Sequence, residues 1–445
     1  MLAPSPALRE REPESSCLHR QCKAALYNFG VLSSFFSRLP PFLLPLILIN
    51  LTGHMALSGG RVTGSLYILQ TGHAEYLVGV FLALFSIISV LTALSIGRWV
   101  DRVGATRVMR LGIGLVLVGA WMPVIYLSLP TLLLTALTIG FGFNVLSVAS
   151  QHTVGYLVAN ATPSERLANF GWFALGHSAS STIGPFIAGI VIDALGFRAS
   201  FAALALFACV AAWLVLTRAR DLPRPDAPPV ASLEQESAVN EDGEAREVPQ
   251  KPRVFDLLAT PEMRRIYWVN MIMSASWDLF IVMLPVLGHR LGYSASVIGL
   301  VFSLFAVGTF AARAAMPWLS RRANEWQILR VSLAVVTLVF LALPWAGVAP
   351  ALMALGVLFG CAVGMSQPNM LSLLHAASPA GRGGEAVGLR SVLSNSCSVA
   401  VPLAFGAAVV PFGISALLVS GGVLFASGIP SAHRGVQARA LEAAA

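Results

Sequence analysis

The sequence predicts an all-α polytopic membrane protein, twelve transmembrane helices arranged as two pseudo-symmetric six-helix bundles. Three observations predict it. Of the 445 residues, 56% are hydrophobic and only 11% are charged, against about 25% charged in a soluble domain. Apolar runs of about 20 residues, the length that crosses a bilayer as helix, recur twelve times. The arginines sort into alternate connections between those runs.

The runs lie at 42–66, 76–97, 108–128, 131–158, 169–193, 199–217, 266–287, 294–316, 327–347, 350–374, 387–409 and 411–429. Pro411 and Gly413 mark the division between the last two. Residues 218–262 differ in kind, being rich in Pro, Ala and Glu with few large apolar side chains, and read as a disordered cytoplasmic linker. This divides the chain into a tail (1–38), an N-terminal bundle (39–217), the linker (218–262), a C-terminal bundle (263–430) and a second tail (431–445). The first tail carries Arg9, Glu10, Arg11, Glu12 and Glu14 without a short apolar core and small-residue cleavage site, so the first span is expected to stay in the product. Cys17 and Cys22 flank His19 but lack the second ligand pair of a zinc site, and neither a metal nor another cofactor is expected.

Positive residues stay on the cytoplasmic side of short loops. With the N-terminus inside, Arg98, Arg102, Arg107, Arg110, Arg166, Arg218, Arg264, Arg321, Arg322, Arg382 and Arg434 all fall inside, and the outside keeps only Arg198 and Arg290. Both termini are therefore expected in the cytoplasm of a cell with a bacterial-type inner membrane. The net charge of +8 is a topology signal and implies no nucleic-acid partner.

The stretch SIGRWVDRVGATRVMRLG connects spans two and three. Gly97 suits close packing at a helix end, Gly104 suits a turn, and Asp101 beside Arg102 and Arg107 suits a charge network that breaks and reforms as two bundles rock. Gly97, Asp101, Arg102, Gly104 and Arg107 resemble the loop signature of the major facilitator superfamily, with Trp99 where that family often has leucine. The resemblance implies two homologous six-helix halves, and internal duplication agrees with it. SQHTVGYLVANATPSER (150–166) matches SQPNMLSLLHAASPAGR (366–382) at Ser150/Ser366, Gln151/Gln367, Pro163/Pro379 and Arg166/Arg382. Pro185 and Gly189 answer Pro402 and Gly406, Asn50 answers Asn270, and YLVGVFLALF answers SVIGLVFSLF.

Span five, GWFALGHSASSTIGPFIAG, is similar to the superfamily motif of exporters driven by protons. Gly171, Gly184, Pro185 and Gly189 fit its spacing, while Ser180 and Ala188 stand where glycine is expected. Small residues let helices approach closely, and Pro185 removes a backbone hydrogen bond.

A charge at mid-bilayer costs about 2.5–3.5 kcal/mol even on lenient scales, so deep polar residues mark function. Two charges read as deep, Arg61 in span one and Asp278 in span seven, level enough to pair across the halves. Asn50, His54, Ser58 and Arg61 share one helical stripe; Asn270, Ser274, Trp277 and Asp278 repeat it. Span four offers Asn144 and Gln151, span ten Gln367 and Asn369. The family resemblance implies that spans one, four, seven and ten line the cavity, which makes these residues the substrate candidates and Asp278 with Arg61 the proton-coupling candidates. His54, His152 and His177 are the other proton carriers. The stripes hold few aromatics, which disfavours a sugar.

No nucleotide loop, metal cluster or nucleophile signature is present, so an enzyme is not expected. The reading is a monomeric secondary transporter that exports a small organic compound against protons. The alternatives are proton-coupled uptake of an organic anion through Arg61 and a non-transporting membrane sensor on the same scaffold.

Overall fold

A computed structural model describes residues 43–157, 163–218, 254–378 and 383–444; for Gly97, Asp101 and Gly171 it describes the helical backbone alone. The N-terminal half consists of α1 (Leu43–Gln70), α2 (Tyr76–Val103), α3 (Ala105–Ile125), α4 (Leu129–Leu157), α5 (Pro163–Leu195) and α6 (Phe197–Arg218). The C-terminal half consists of α7 (Pro261–Arg290), α8 (Ala295–Leu319), α9 (Glu325–Ala342), α10 (Ala349–Ala377), α11 (Gly383–Phe412), α12 (Ile414–Ala426) and α13 (Gly428–Ala444). Among the described residues, eleven helical stretches are long and apolar enough to cross a bilayer, and α2 adds the apolar segment Tyr76–Thr92. The twelve spans read from hydropathy are all present.

Two boundaries differ from the sequence reading. The expected linker is shorter at its C-terminal end, because Val254–Leu258 forms a 3-10 turn that buries Leu257, and Thr260 caps α7 by accepting a hydrogen bond from Met263 N at 3.3 Å. A Thr-Pro pair is a strong helix start, and it competes with the Pro-rich composition before it. The helix also runs past residue 430. With 13 residues, α12 is about 20 Å long, short of a bilayer core. The span is completed by α13, which packs on α9 where Gly435 faces the buried Trp326 ring and Arg330 meets His433 at 3.1 Å. The first tail, most of the linker, the 158–162 and 379–382 loops and the Arg166 side chain lie outside the described residues.

The duplication is visible in the turns. Gly72 and Gly292 (φ 75° and 72°) follow α1 and α7; Gly196 and Gly413 (φ 84° and 77°) follow α5 and α11. These are equivalent places in the two halves, and each requires the left-handed backbone that glycine adopts without strain. Gly104 (φ 88°) makes the α2–α3 turn, as the loop signature requires.

The halves meet through two equivalent seams, α2 against α11 and α5 against α8. In the first, Gly79 lies against the Pro402 carbonyl and Gly406 against that of Tyr76; in the second, Gly299 lies against the Pro185 carbonyl and Gly189 against that of Ala295. A Cβ on Gly299 would stand 2.5 Å from the Pro185 oxygen, and one on Gly406 2.8 Å from the Tyr76 oxygen. Both seams lie toward the arginine-poor face. There Arg290 pairs with Glu75 across the halves through two hydrogen bonds of 2.7 Å, and Asp193 of α5 caps α8 by accepting from Ala295 N (3.1 Å) and Ser296 N (2.8 Å). The other arginine of this face, Arg198, donates to the Val124 and Ile125 carbonyls at the end of α3. Toward the arginine-rich face, α4 and α10 form no seam comparable to these among the described residues, and Gln151 and Gln367 are exposed. The halves are thus closed at one face and parted at the other.

Overpacking a tight contact costs about 1–3 kcal/mol. Gly299→Leu should therefore lower the melting temperature of the purified protein by several degrees, whereas Gly114→Leu, where an added Cβ meets nothing within 4 Å, should melt like the parent. Equal melting of the two variants would contradict the seam.

Candidate functional site

Between the halves, behind the closed face, lies a cavity of about 130 Å³. Its wall is built by α1 (His54, Leu57, Ser58, Arg61, Val62), α2 (Leu82), α5 (His177, Ser181, Pro185), α7 (Trp277, Ile281, Pro285) and α8 (Phe302, Phe305). Spans four and ten, expected in the lining, contribute nothing to it.

Local sequence explains the α1–α5 wall. Gly59 and Gly184 bring the two helices close, an added Cβ on Gly59 lying 3.0 Å from the Gly184 carbonyl. Side chains then bridge them. Ser180, standing where the span-five motif expects glycine, is fully buried. Its hydroxyl donates to the His177 carbonyl at 2.7 Å and lies 2.8 Å from His54 Nδ1. A Ser180 hydroxyl that donates to the carbonyl accepts from His54 Nδ1. Ser58 Oγ donates to the Ser180 carbonyl at 3.1 Å. The His54 and His177 rings lie 3.9 Å apart between centroids, with Phe143 4.9 Å from His54.

The stripe on α7 is turned elsewhere. Asn270 and Ser274 each donate to Ser394 Oγ at 3.0 Å, and Ser398 Oγ approaches both Asp278 carboxylate oxygens at 3.1 and 3.0 Å. Asp278 is 8% exposed. This row zips α7 to α11, since polar groups in a bundle are satisfied by the neighbouring helix. The expected Arg61–Asp278 pair is not formed in this state. The Arg61 guanidinium lies 5.1 Å from the Phe85 ring centroid, and its Nε is buried without a hydrogen-bond partner.

Of the remaining candidates, Asn50 donates to the Leu46 carbonyl and Asn369 to that of Met365. Gln151 bonds Ser147 on its own helix, and the Asn144 amide nitrogen is buried without a partner. None of these, nor Asn270 or Gln367, is part of the cavity wall. His54, Ser58, Arg61, Trp277, His177 and Pro185 are brought together there. His152 is on α4, outside it.

Arg61 and Asp278 are not the only deep charges. Arg313 on α8 donates to Ser178 of α5 at 2.8 Å and to Gln367 of α10 at 3.3 Å, and Arg390 on α11 is half-buried with its Nε unpartnered. Both stand inside predicted spans, in TFAARAAMPW and AVGLRSVL, and that interruption of an apolar run is the signal that finds them. The cavity also holds more aromatic surface than the stripes indicated. Trp277 meets Phe305 edge-on with centroids 4.9 Å apart, and Phe302 and Phe305 come from α8, which a reading confined to spans one, four, seven and ten does not sample.

A larger hollow of about 500 Å³ opens at the arginine-rich end of the C-terminal half, by Arg321, Arg322, Asn324 and Glu325. It lies within one half and away from the seams. In the loop of the sequence signature, Arg102 and Arg107 are exposed, and the Asp101 side chain lies outside the described residues.

Two six-helix halves with equivalent seams and a cavity between them are decisive together with the sequence pattern, which matches the major facilitator superfamily over residues 26–402. The chain belongs to that superfamily. No curated protein matches it by sequence. Among solved structures this superfamily member is similar to a POT family transporter in complex with 5-aminolevulinic acid (12% identity, TM-score 0.69, covering 89% of this chain and 96% of that one). It is also similar to a POT family transporter in complex with a thioalcohol-conjugated peptide (13%, 0.69, 88% and 95%) and to the nucleoside transporter NupG (15%, 0.65, 89% and 98%). At these identities the likeness is one of fold.

Ser398 supplies the hydrogen bonds of the buried Asp278 carboxyl, and removing one partner of such a group costs about 1–3 kcal/mol. Ser398→Ala should lower the melting temperature and Ser398→Thr, which keeps the hydroxyl, should restore it. Equal melting of Ser398→Ala and the parent would place the Asp278 contacts elsewhere.

Proposed function

We propose that this member of the superfamily is a proton-coupled secondary transporter that moves a small organic compound outward across a bacterial-type inner membrane by alternating access. The observation that carries this reading is the placement of the cavity. It sits between two halves whose contacts run along one face, so that rocking about it exposes the same side chains to either side. We take the arginine-rich face as cytoplasmic, both termini inside, and residues 39–217 and 263–430 as the moving bundles. The described state is then inward-facing. The loop of Gly97, Asp101, Arg102, Gly104 and Arg107 acts as its gate on the cytoplasmic side. The driving force is an ion gradient and no bond is made or broken in the solute, so the protein is not an enzyme.

Outward direction is supported by the span-five motif, whose Pro185 and Gly189 form the α5–α8 seam. Proton coupling is supported by Asp278, the carboxylate deepest in a span among the described residues. A buried carboxylate is tolerated when paired or protonated. In the described state Ser398 of the same half holds it, and a change of the Asp278 side-chain rotamer would exchange that contact for Arg61. A second reading, proton-coupled uptake of an organic anion, is favoured by the guanidinium of Arg61 in the cavity wall. The direction of net flux under an imposed pH gradient separates the two. A sensor on this scaffold would show no flux in either.

The test is transport by the full chain in proteoliposomes, with compounds chosen by thermal shift from a chemical library. Asp278→Asn mimics the protonated acid. It should bind and exchange solute at equilibrium and fail to accumulate it when a pH gradient is applied. Accumulation by Asp278→Asn with parental pH dependence would move coupling to another group, with His54 the next to replace.

A further inference from the structure

The cavity wall divides by chemistry. Its α1 and α5 side presents Arg61, His54, His177, Ser58 and Ser181, and its α7 and α8 side presents Trp277, Ile281, Phe302 and Phe305. Among the described residues no carboxylate stands on the wall, because Asp278 is held by Ser398 on its far side. Arg61 has an unpartnered Nε and only the face of Phe85 beneath its guanidinium. A second guanidinium, Arg313, donates to Ser178, the residue next to His177. The wall thus presents the Arg61 guanidinium and, among the described residues, no carboxylate, facing an aromatic surface.

We infer that the substrate is a small organic acid whose anionic group pairs with Arg61 and whose apolar or aromatic body lies on Trp277 and Phe305. Guanidinium recognises a carboxylate through two parallel hydrogen bonds, and the free donors of Arg61 allow that arrangement. His54 contributes at the same end. Size follows from volume. The cavity of about 130 Å³ is no larger than the ~150 Å³ that holds a benzene ring, so the body lying on Trp277 and Phe305 is at most a single ring, with its acid group at the Arg61 edge. The aromatic wall excludes a strongly hydrated body, and the missing carboxylate excludes an amine. This inference rests on the transporter reading and adds to it the charge and shape of what is carried.

The probes are benzoate, the uncharged benzamide and the cationic benzylamine, titrated calorimetrically into the purified full-length protein. Saturable binding of benzoate is expected, with benzamide at least tenfold weaker and benzylamine giving no saturation. Arg61→Gln should weaken benzoate at least tenfold, Arg61→Lys should keep part of the affinity, and Arg434→Gln, a charge change on α13, should leave it unchanged. If Arg61→Gln does not fold, the contrast among the three probes and the Lys variant still decide. Benzamide binding as tightly as benzoate, benzylamine binding better, or no saturable benzoate binding overturns the inference. Labelled benzoate in proteoliposomes separates the two levels: binding without flux leaves the acid site standing and removes the transporter reading. Flux of another compound that benzoate neither competes with nor follows does the reverse.

Discussion

The structure depends on the close approach of glycine to a facing backbone carbonyl at two equivalent seams, Gly79 and Gly406 with Pro402 on one side, Gly299 and Gly189 with Pro185 on the other. In lipid no hydrophobic difference drives one helix against another, so association comes from packing that small residues permit. Proline adds rigidity to the helix that carries the carbonyl and cannot donate its own backbone N–H. The Arg290–Glu75 pair and the Asp193 cap sit outside these seams. With side chains 41% and 22% exposed, a pair such as Arg290–Glu75 contributes on the order of 0.2–1 kcal/mol. That is enough to bias one closed arrangement and too little to lock it. A packed seam with a weak latch above it suits a contact that must open in every cycle.

The same constraint sorts the polar residues into two kinds. Buried polar groups in a bundle must find partners, and most of the polar stripe on α7 finds them on α11 through Ser394 and Ser398. The stripe on α1 is only partly satisfied, through Ser180 of α5, and what is left over, the Arg61 guanidinium and one edge of His54, faces the cavity. Residues equivalent by duplication have thus diverged. One half keeps an acid inside its own bundle, and the other presents a cation at the interface.

How much of this was legible in the sequence differs by level. The twelve spans, the duplicated halves and the Gly104 turn were readable because length, periodicity and glycine each carry a local physical signal. So were Pro185, Gly189, Pro402 and Gly406 as a repeated pair, although that they face Gly299 and Gly79 required three dimensions. The site was half legible. His54, Ser58, Arg61 and Trp277 do line the cavity, whereas Asn50, Asn144, Gln151, Asn270, Gln367 and Asn369 do not, because a stripe of polar residues marks a helix face without naming the neighbour it turns to. Arg313 and the α8 aromatics escaped because attention to four spans left out the seam helices. The Arg61–Asp278 pair is not formed in the described state for a related reason: equal depth along two helices says nothing of their rotation.

The account's central claim is that the two halves part at the arginine-poor face and meet at the other during transport. The most direct measurement is a pair of spin labels at Ala74 and Leu291, exposed positions flanking the Glu75–Arg290 pair, in an otherwise cysteine-free protein in lipid nanodiscs. The account predicts a short-distance population that matches the closed seam and a second, longer one that grows when Glu75→Gln removes the latch or when pH is changed across the working range. A single unchanged distance under all of these conditions, in protein that still transports, would contradict it.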